Sequence, residues 1–283
     1  MNPPETLAQW FHWASAQLVK HSDSAQLDAE LMLRDVLQKD RSYLRTWPEK
    51  QLSNTQHQQL QSLLDRRLQG EPMAYILGHQ DFWTLSLRVS PAVLIPRPET
   101  ELIIETALEL LSPQQALQLA DLGTGSGAIA LALASEFSNS HVIAGDFSAA
   151  ALQIAEQNRQ QLQLHNCETR LGSWFDIFSP TEQFDLIVSN PPYIAEGDPD
   201  LQANVQRYEP QSALTANNNG LADLQHLIAH APTFLKPGGW LILEHGWQQA
   251  EALRQQLQQQ GFLHSQSHRD LAGHERITLG QQP

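Results

Sequence analysis

The sequence predicts an α/β protein, with a mostly parallel, doubly wound sheet of seven strands that follows a small helical bundle. Two patterns support this fold class. From about residue 116 onward, short apolar runs that suit buried strands alternate with segments that suit amphipathic helices. In residues 1–75, apolar side chains recur instead at helical spacing. The chain has 283 residues, which is enough for two domains of ordinary size.

The first 75 residues are predicted to form a helical docking domain. One helix carries Leu7, Trp10 and Leu18 at helical spacing, with Trp10 and Trp13 in core and rim positions. Ser24 and Ser53 are predicted N-caps of two further helices, and Gly70 is a predicted C-cap. A partly alternating stretch from Phe82 to Val89 then predicts a β-hairpin, within a linker over residues 76–95.

Residues 96–283 are predicted to form the larger α/β domain. Its first helix begins near Pro98, since proline suits the first helical turn and Glu99 and Glu101 suit its positive end. Ser148 is the predicted N-cap of a later helix. The predicted strands cover residues 117–122, 141–145, 169–173, 184–189, 240–243, 262–268 and 274–279; further helices cover 126–137, 221–235 and 248–260, and a turn covers 236–239.

Composition and charge argue against a nucleic-acid partner. Residues 1–75 contain 8 of the 17 Lys and Arg residues and 9 of the 31 Asp and Glu residues. The rest of the chain therefore contains 9 basic and 22 acidic residues. The net charge of −14 therefore comes almost wholly from the larger domain. Non-specific binding to nucleic acids needs several Lys or Arg contacts to phosphates, and the chain has no basic run. We expect no direct nucleic-acid partner.

Several other features limit the function classes. Cys167 is the only cysteine, so no internal disulfide is possible and nothing indicates secretion. No apolar run approaches the roughly 20 residues of a membrane helix, and the first residues lack the pattern of a signal peptide. The twelve histidines are scattered without metal-ligand spacing. We expect a cytoplasmic protein without a membrane segment or a metal site.

A glycine-rich turn from Asp121 to Gly127 joins a predicted strand to a predicted helix. Glycines let the backbone turn sharply and let a ligand approach where a Cβ would otherwise stand. Dinucleotide folds use G-x-G-x-x-G, but these glycines occupy every second position, which is more typical of S-adenosylmethionine sites. Asp146 ends the next strand, where it can accept hydrogen bonds from ribose hydroxyls. The predicted cofactor-binding residues are Gly123, Thr124, Gly125, Ser126, Gly127 and Asp146; a nucleotide site or a structural turn is the alternative.

The sequence Asn190-Pro191-Pro192-Tyr193 follows the apolar strand 184–189 directly. Prolines cannot donate to a strand ladder, so the strand ends in a rigid corner, at the edge where open α/β sheets bind ligands. The Asn190 side-chain oxygen and the Pro191 carbonyl are two acceptors for a flat NH2 group, on which Tyr193 can stack.

That arrangement suits methyl transfer to a weakly nucleophilic nitrogen. Two acceptors would turn the nitrogen lone pair toward a methyl sulfonium and favour positive charge on nitrogen. We predict that Asn190, Pro191 and Tyr193 are catalytic and that Asn190, Pro191, Pro192 and Tyr193 bind the substrate. The alternative is a corner that only ends a strand.

Two further residues are weaker candidates. Trp174 follows the third strand and can pack on an adenine ring, with a role in the core as an equal alternative. Glu209 lies in a long segment after the corner, either in a lid or in a surface segment without function.

These motifs together resemble the protein-(glutamine-N5) methyltransferases of the PrmC/HemK type. The glycine turn and the Asn190–Tyr193 motif are shared with other aminomethyltransferases, whereas Pro96 to Glu101 is more specific. That stretch also separates the chain from the sister family that methylates a ribosomal protein. The resemblance spans nearly the whole chain and is carried by residues 70–72, 74–78, 82–83, 94–101, 121–127, 190–193, 208–210, 213–214, 270–273 and 276.

The resemblance implies a Rossmann-like class I methyltransferase domain that uses S-adenosylmethionine. It further implies methylation of the glutamine in the Gly-Gly-Gln motif of class I peptide chain release factors, in support of translation termination. By this resemblance the residues that contact the cofactor are Gly123 to Gly127, Asp146, Trp174 and Asn190, and residues 190–193 contact the glutamine. The helical domain would help to hold the release factor. In one departure, residues 215–220 lack the Gly-Gly or Gly-Asp pattern that often follows this family's Ala-Leu pair.

Two other functions remain open from the residues alone. Adenine and guanine carry flat NH2 groups of similar geometry, so a nucleic-acid aminomethyltransferase is one alternative; the acidic balance and the lack of a basic or aromatic-rich region argue against it. The other alternative is a cofactor-binding scaffold that holds a translation factor without modifying it. The intact Asn190–Tyr193 motif argues against a scaffold.

Overall fold

The computed structural model describes residues 5–195, 197–198 and 203–283. The chain divides into two units, Met1–Gly78 and His79–Pro283. The β-hairpin that the sequence placed in a linker over residues 76–95 falls within the larger unit.

The first unit is helical. Ser53 and Gln56 form a capping box at the start of α4. Ser24 precedes α2, but its hydroxyl donates to Asp28 at 2.9 Å and makes no capping bond to the backbone. The sequence did not predict the two short helices α3 and α5. The helices are α1 (Leu7–Leu18), α2 (Ala25–Leu37), α3 (Arg41–Thr46), α4 (Asn54–Leu68) and α5 (Met73–Leu77).

Apolar faces of α1, α2 and α4 form the core of this unit. Trp10 is 1% exposed, which confirms its predicted place in the core. The side chain of Arg67 crosses from α4 to α2, where its Nε lies 2.7 Å from Asp28 Oδ2. Because both side chains are largely buried, this charge-assisted bond fixes how the two helices pack.

The second unit is built on a seven-stranded sheet with the order β10-β11-β9-β6-β3-β4-β5. The strands from β9 to β5 are parallel, and β10 and β11 form an antiparallel hairpin at one edge. This sheet confirms the predicted fold class. The strands are β3 (Gln118–Leu122), β4 (His141–Asp146), β5 (Cys167–Leu171), β6 (Phe184–Ser189), β9 (Leu235–Glu244), β10 (Leu263–Arg269) and β11 (Glu275–Gln281).

Two small two-stranded sheets lie outside the main sheet, and helices complete the unit. The small sheets pair β1 (His79–Phe82) with β2 (Leu85–Arg88), and β7 (Ile194–Ala195) with β8 (Thr215–Ala216). The predicted turn at residues 236–239 lies within β9, where the pairing with β6 shifts register. The helices are α6 (Glu101–Leu110), α7 (Ala128–Glu136), α8 (Ala149–Gln161), α9 (Ala203–Tyr208), α10 (Asn217–Gly220), α11 (Ala222–Phe234) and α12 (Ala250–Gln259).

Both faces of the main sheet are covered by hydrophobic clusters. In β6, Leu186 and Val188 belong to the cluster on the α6 and α7 side, whereas Ile187 belongs to the cluster on the α11 and α12 side. This alternation follows from the period of two along a strand. Because both faces are apolar, the strands read as continuous apolar runs, which is the pattern that made them recognisable in the sequence.

The strand order reverses at β3, which lies between β4 and β6. The chain runs from β3 to β4 and β5 on one side, and β6 and β9 lie on the other. Open α/β sheets bind ligands in the crevice outside the carboxyl ends of strands at such a reversal. The sheet therefore brings together the residues that follow β3, β4 and β6.

In the part of the chain that is described, no helix has the length and apolar character needed to cross a membrane.

Candidate active site

The glycine turn between β3 and α7 is tied to the end of β4. Gly123, Gly125 and Gly127 have φ values of 78°, 57° and 85°, a region that glycine enters without steric cost. The N–H groups of Gly123 and Thr124 both donate to the Gly145 carbonyl at 2.9 Å. The Gly125 N–H donates to Asp146 Oδ2, also at 2.9 Å. Because three of its amides bond to β4, the turn is held in one conformation.

Asp121 supports the same turn from inside the sheet. It is fully buried, and its Oδ2 accepts a hydrogen bond from Thr124 Oγ1 at 2.6 Å and from the Ala130 N–H at 3.1 Å. Burial raises the pKa of this carboxyl to about 7, although the hydrogen bonds from Thr124 and Ala130 oppose the shift. In the sequence Asp121 stands out only as part of the glycine motif. In the structure it holds the turn and the start of α7.

Asp146 stands at the carboxyl end of β4, as the sequence predicts. Its Oδ1 accepts the Ser148 N–H at 2.8 Å, and its Oδ2 accepts the Gly125 N–H. Burial raises the pKa of this carboxyl, and the backbone donors of Ser148, Gly125 and Phe147 oppose the rise. Each carboxylate oxygen has more than one lone pair, so Asp146 still offers acceptors to a ligand in the crevice.

A pocket of about 520 Å³ lies at the carboxyl ends of β3, β4 and β6. This volume is within the usual range for small-molecule sites. The sequence-predicted residues that line it are Gly123, Thr124, Gly125, Ser126, Asp146, Trp174, Asn190, Pro191 and Pro192. Among the described residues, no group of three or more His, Cys, Asp or Glu is placed to hold a metal ion.

Gly127 and Tyr193 are the two predicted site residues that do not line the pocket. Gly127 precedes α7, and a Cβ there would lie 2.9 Å from Leu131 Cδ1. Glycine is therefore required at this position for packing, and the geometry does not support a direct contact between Gly127 and a ligand.

Trp174 lies between the pocket and the hydrophobic core. It lines the pocket, and a Cβ on Gly123 would lie 3.4 Å from the ring atom Cζ3 of Trp174. The same side chain packs against the hydrophobic cluster under α11 and α12. Burial raises the pKa of Asp223, and both His226 and a hydrogen bond with Trp174 oppose this rise. The indole is thus fixed as one wall of the pocket.

Several residues that line the pocket carry no signal that was recognised in the sequence. One of them is Phe147, which is 60% exposed and directly follows Asp146. An apolar residue at the very end of a buried strand was a usable signal, because such a position opens into the crevice. Leu94, Arg97 and Ser212 also line the pocket, but Ser212 is far from the other two in the sequence, so no local pattern connects all three.

A buried ion pair joins two segments of the pocket wall. Glu209 Oε1 lies 2.5 Å from an Arg97 guanidinium nitrogen, and its Oε2 accepts the Ile95 N–H at 3.1 Å. The Glu209 side chain is 1% exposed, which excludes the surface segment proposed as one alternative for it. Since Arg97 and Pro210 both line the pocket, this charge-assisted contact holds the segment before α6 against the end of α9.

The Asn190–Tyr193 corner is held by side chains behind it. Asn190 Nδ2 donates to Thr100 Oγ1 at 3.3 Å, and the Tyr193 hydroxyl donates to Glu244 Oε1 at 3.2 Å. The Tyr193 carbonyl accepts from Gln249 Nε2 at 3.0 Å. A Cβ on Gly220 would lie 2.1 Å from that carbonyl, so this contact requires glycine. Residues 215–220, which depart from the family pattern, keep this glycine. The Tyr193 ring packs against the sheet cluster, away from the predicted stacking position in the pocket.

Glu244, at the end of β9, is a buried carboxyl directly behind the corner. It is 1% exposed. Burial raises the pKa of its carboxyl to about 7, whereas Thr100, Arg276 and Tyr193 oppose the rise. Among the described residues, Oε2 has no hydrogen-bond partner at ordinary geometry. The folded protein therefore favours the neutral form of Glu244 much more than the unfolded chain does.

Replacement of Glu244 by glutamine is expected to raise stability relative to wild type as pH increases. Between its usual pKa of 4.5 and the folded value of about 7, the native state binds more protons than the unfolded state, so wild-type stability falls with pH. Glutamine cannot ionise. The difference in unfolding free energy should shift by about 2 kcal/mol in favour of Glu244→Gln between pH 5 and pH 8. Urea denaturation at both pH values measures it.

The control for that measurement is Glu105→Gln, which changes an exposed glutamate on α6. Its stability difference from wild type should be nearly the same at pH 5 and pH 8. If the difference in unfolding free energy between Glu244→Gln and wild type were also the same at both pH values, burial would not raise the pKa of Glu244 as described.

Comparisons with known proteins agree with this geometry. The PrmC N-terminal domain model matches residues 9–78, and a methyltransferase domain model matches residues 113–277. A release factor glutamine methyltransferase from Aliivibrio fischeri is 49% identical over 260 residues, which cover 92% of this chain and 91% of that protein. The protein of the same name from Vibrio cholerae is 50% identical over 260 residues, with 92% and 91% covered.

Solved structures show the same fold at lower identity. A T. thermophilus 16S rRNA N2 G1207 methyltransferase, in complex with AdoMet and guanosine, has a TM-score of 0.54 and is 19% identical, with 72% of this chain and 50% of that chain covered. This likeness concerns the fold, whereas the relatives at 49% and 50% identity decide the family. The chain belongs to the family of release factor glutamine methyltransferases.

Proposed function

We propose that this protein transfers a methyl group from S-adenosylmethionine to the side-chain amide nitrogen of the glutamine in the Gly-Gly-Gln motif of class I peptide chain release factors. The observation that carries the proposal is that one pocket is lined by both the Asp146 carboxylate and the Asn190-Pro191 corner. The named relatives support the choice of substrate. We infer that the reaction takes place in the cytoplasm and supports translation termination.

The residues that line the pocket fit S-adenosylmethionine. A Cβ on Gly125 would meet no atom of the described residues within 4 Å, so these residues leave space for a ligand directly against the backbone. Asp146 offers free acceptor sites to ribose hydroxyls, and Phe147 and Trp174 offer apolar faces to an adenine ring. The residues that would hold the cofactor are Gly123, Thr124, Gly125, Ser126, Asp146, Trp174 and Asn190. When bound, the cofactor supplies an electrophilic methyl group.

The corner would bind the glutamine amide through two acceptors. Asn190 Nδ2 is directed at Thr100, so Oδ1, on the other branch of the planar amide, is left to accept one N–H of the substrate. The Pro191 carbonyl would accept the second. Both acceptors stabilise the positive charge that develops on nitrogen, and the neutral Asn190 needs no change of protonation. The methylated nitrogen is acidic enough to lose its proton afterwards without a dedicated base.

Positioning is expected to supply most of the acceleration. Holding two reactants in a productive geometry is worth about 7–11 kcal/mol in favourable cases. Pro191 and Pro192 hold the corner rigid, and the Arg97–Glu209 contact holds the opposite wall. Apolar residues such as Leu94 and Pro210 line the same pocket, so water is excluded when both ligands are bound.

The helical unit is proposed to bind a part of the release factor away from the reacting glutamine. Its match to the PrmC N-terminal domain supports this role. Within this unit, a groove of about 530 Å³ is lined by residues of α1, α2 and α3, among them Phe11, Leu27, Glu30, Arg41 and Arg45. An apolar groove with charged groups at its edge suits a protein segment.

The direct test is to incubate the purified chain with methyl-labelled S-adenosylmethionine and a class I release factor. We expect label on the glutamine of the Gly-Gly-Gln motif, located by peptide mass spectrometry, and no label when that glutamine is changed to alanine. Unchanged labelling of the altered release factor would refute the assignment. Methyl incorporation into RNA or DNA alone would instead identify a nucleic-acid aminomethyltransferase, and cofactor binding without any turnover would identify a scaffold.

A further inference from the structure

Behind the Asn190–Tyr193 corner lies a buried polar cluster that the proposed reaction does not yet use. We call Thr100, Tyr193, Glu244 and Arg276 the Glu244 cluster. Its members come from the turn before α6, the corner itself, the end of β9 and the strand β11. Thr100 is 3% exposed and Glu244 is 1% exposed. Burial of a charged group is costly, so a buried carboxyl this close to a candidate active site suggests a functional role.

Hydrogen bonds connect this cluster to both ends of the corner. Thr100 Oγ1 accepts from Asn190 Nδ2 at 3.3 Å. Burial raises the pKa of Glu244, and the Thr100 hydroxyl beside it, acting as a donor, opposes that rise. The Tyr193 hydroxyl donates to Glu244 Oε1 at 3.2 Å. Glu244 thus reaches Asn190 through one hydroxyl and Tyr193 directly.

The donors and acceptors in this chain determine which way the Asn190 amide faces. A hydroxyl has one proton to donate and lone pairs to accept with. When Thr100 donates its proton to the Glu244 carboxylate, its oxygen can only accept from Asn190. The NH2 group of Asn190 must then face Thr100, and Oδ1 must face the pocket. A reversed amide would place two donors against the substrate NH2 and lose the acceptor that the reaction needs.

We propose that Thr100 and Glu244 are positioning residues, which fix the orientation of the Asn190 amide so that its oxygen accepts the substrate N–H. This inference rests on the proposed methyl transfer to an amide nitrogen. Thr100 also lines the pocket, but the role proposed for both residues is exerted through Asn190 and Tyr193.

The charge state of Glu244 affects which way the Asn190 amide faces. The groups that face it are Arg276 on β11, Glu99 beside Thr100, and Tyr193. Arg276 favours the ionised form and Glu99 opposes it, while burial is the largest effect and raises the pKa of Glu244 to about 7. A protonated Glu244 becomes a donor, which releases the Thr100 proton to bond Asn190 Oδ1 instead. The amide can then reverse, so the productive orientation is favoured above neutral pH.

The first experiment compares Thr100→Val with Thr100→Ser by steady-state methylation of a release factor. Valine keeps the shape of threonine but removes the hydroxyl. We expect kcat to fall about tenfold in Thr100→Val, the usual effect of one lost hydrogen bond, with little change in the dissociation constant of the cofactor. Thr100→Ser should recover most of the lost kcat, because it keeps the hydroxyl.

Thr106→Val is the matched control. Thr106 is also buried, on α6, but its hydroxyl bonds to His268 at 3.1 Å and not to the corner. Its kcat should stay close to wild type. Wild-type kcat in Thr100→Val, or a Thr100→Ser variant as slow as Thr100→Val, would overturn the inference.

The second experiment measures kcat of wild type and Glu244→Gln from pH 6 to pH 8. Glutamine resembles the neutral acid, so we expect the variant to be slower than wild type at pH 8 and the difference to narrow toward pH 6. If the ratio of kcat between wild type and Glu244→Gln did not change with pH, the role of Glu244 would be contradicted. Should Thr100→Val fail to fold, this pH series alone tests the inference. If wild type fails to methylate the Gly-Gly-Gln glutamine, the proposed function is wrong; if wild type is active and every variant matches it, only the present inference is wrong.

Discussion

Replacement of Asn190 by alanine is expected to lower kcat by about 10²–10³-fold, which is the usual effect of removing one preorganised group that stabilises developing charge. The physical reason is that Asn190 Oδ1 is one of two acceptors for the substrate N–H groups at the pocket edge. Without it the amide nitrogen can rotate, and positive charge on nitrogen is less stabilised. Steady-state methylation of a release factor, with KM measured separately, gives the size of the loss.

Two accompanying measurements make this result specific to Asn190. The dissociation constant of S-adenosylmethionine, from calorimetry, should change little, because Asp146 and the glycine turn keep their own hydrogen bonds. The control Asn139→Ala removes an exposed asparagine that bonds only weakly, at 3.4 Å, to the Gln114 carbonyl, and it should leave kcat unchanged. An Asn190→Ala enzyme with wild-type turnover would refute the catalytic role of Asn190.

The fold was predictable because it depends on patterns that repeat along the chain. Buried parallel strands read as short apolar runs, and glycine or proline marks their ends. The short elements escaped prediction for the opposite reason. The helices Arg41–Thr46 and Met73–Leu77 contain 6 and 5 residues, too few for a period of 3.6 to be recognised.

The half of the site that lies on loops directly after strands was also predictable, because strand ends meet at one edge of a parallel sheet. Asp146 and Asn190, which both line the pocket, were predicted in this way. The supporting half was not, since it depends on contacts over long sequence distances. Glu209 pairs with Arg97 across 112 residues and Asn190 bonds Thr100 across 90, and nothing local marks such pairs.

Tyr193 illustrates how a motif can leave the placement of a side chain undetermined. An aromatic ring beside a flat amide suggested stacking, but the ring can take either side of the corner. The hydroxyl settles the side, because Glu244 behind the corner offers it a buried acceptor. Burial beside this carboxyl also raises the pKa of Tyr193, so the phenol stays protonated and continues to donate.

Replacement of Asp146 by asparagine is expected to weaken the binding of S-adenosylmethionine by about 10²-fold. Hydrogen bonds to a charged group are worth about 1.5–3 kcal/mol each, and one tenfold step in affinity corresponds to about 1.4 kcal/mol. Asparagine has nearly the same shape, but one of its oxygens becomes an NH2 donor. That donor would face either the Gly125 N–H or the Ser148 N–H, both of which now donate to Asp146. The substitution therefore removes acceptors for the ribose and disturbs the glycine turn together.

Calorimetric titration with S-adenosylmethionine measures this loss, and Asp185→Asn is the matched control. Asp185 is also an aspartate of the parallel sheet, and its Oδ2 accepts the Gln118 N–H at 2.8 Å. It lies near the amino end of β6, away from the crevice, so its substitution should leave the affinity unchanged although it too removes a bond to a backbone amide. Equal affinities for Asp146→Asn and wild type would show that the ribose is held elsewhere, and would remove the main physical reason for placing the cofactor across the ends of β3 and β4.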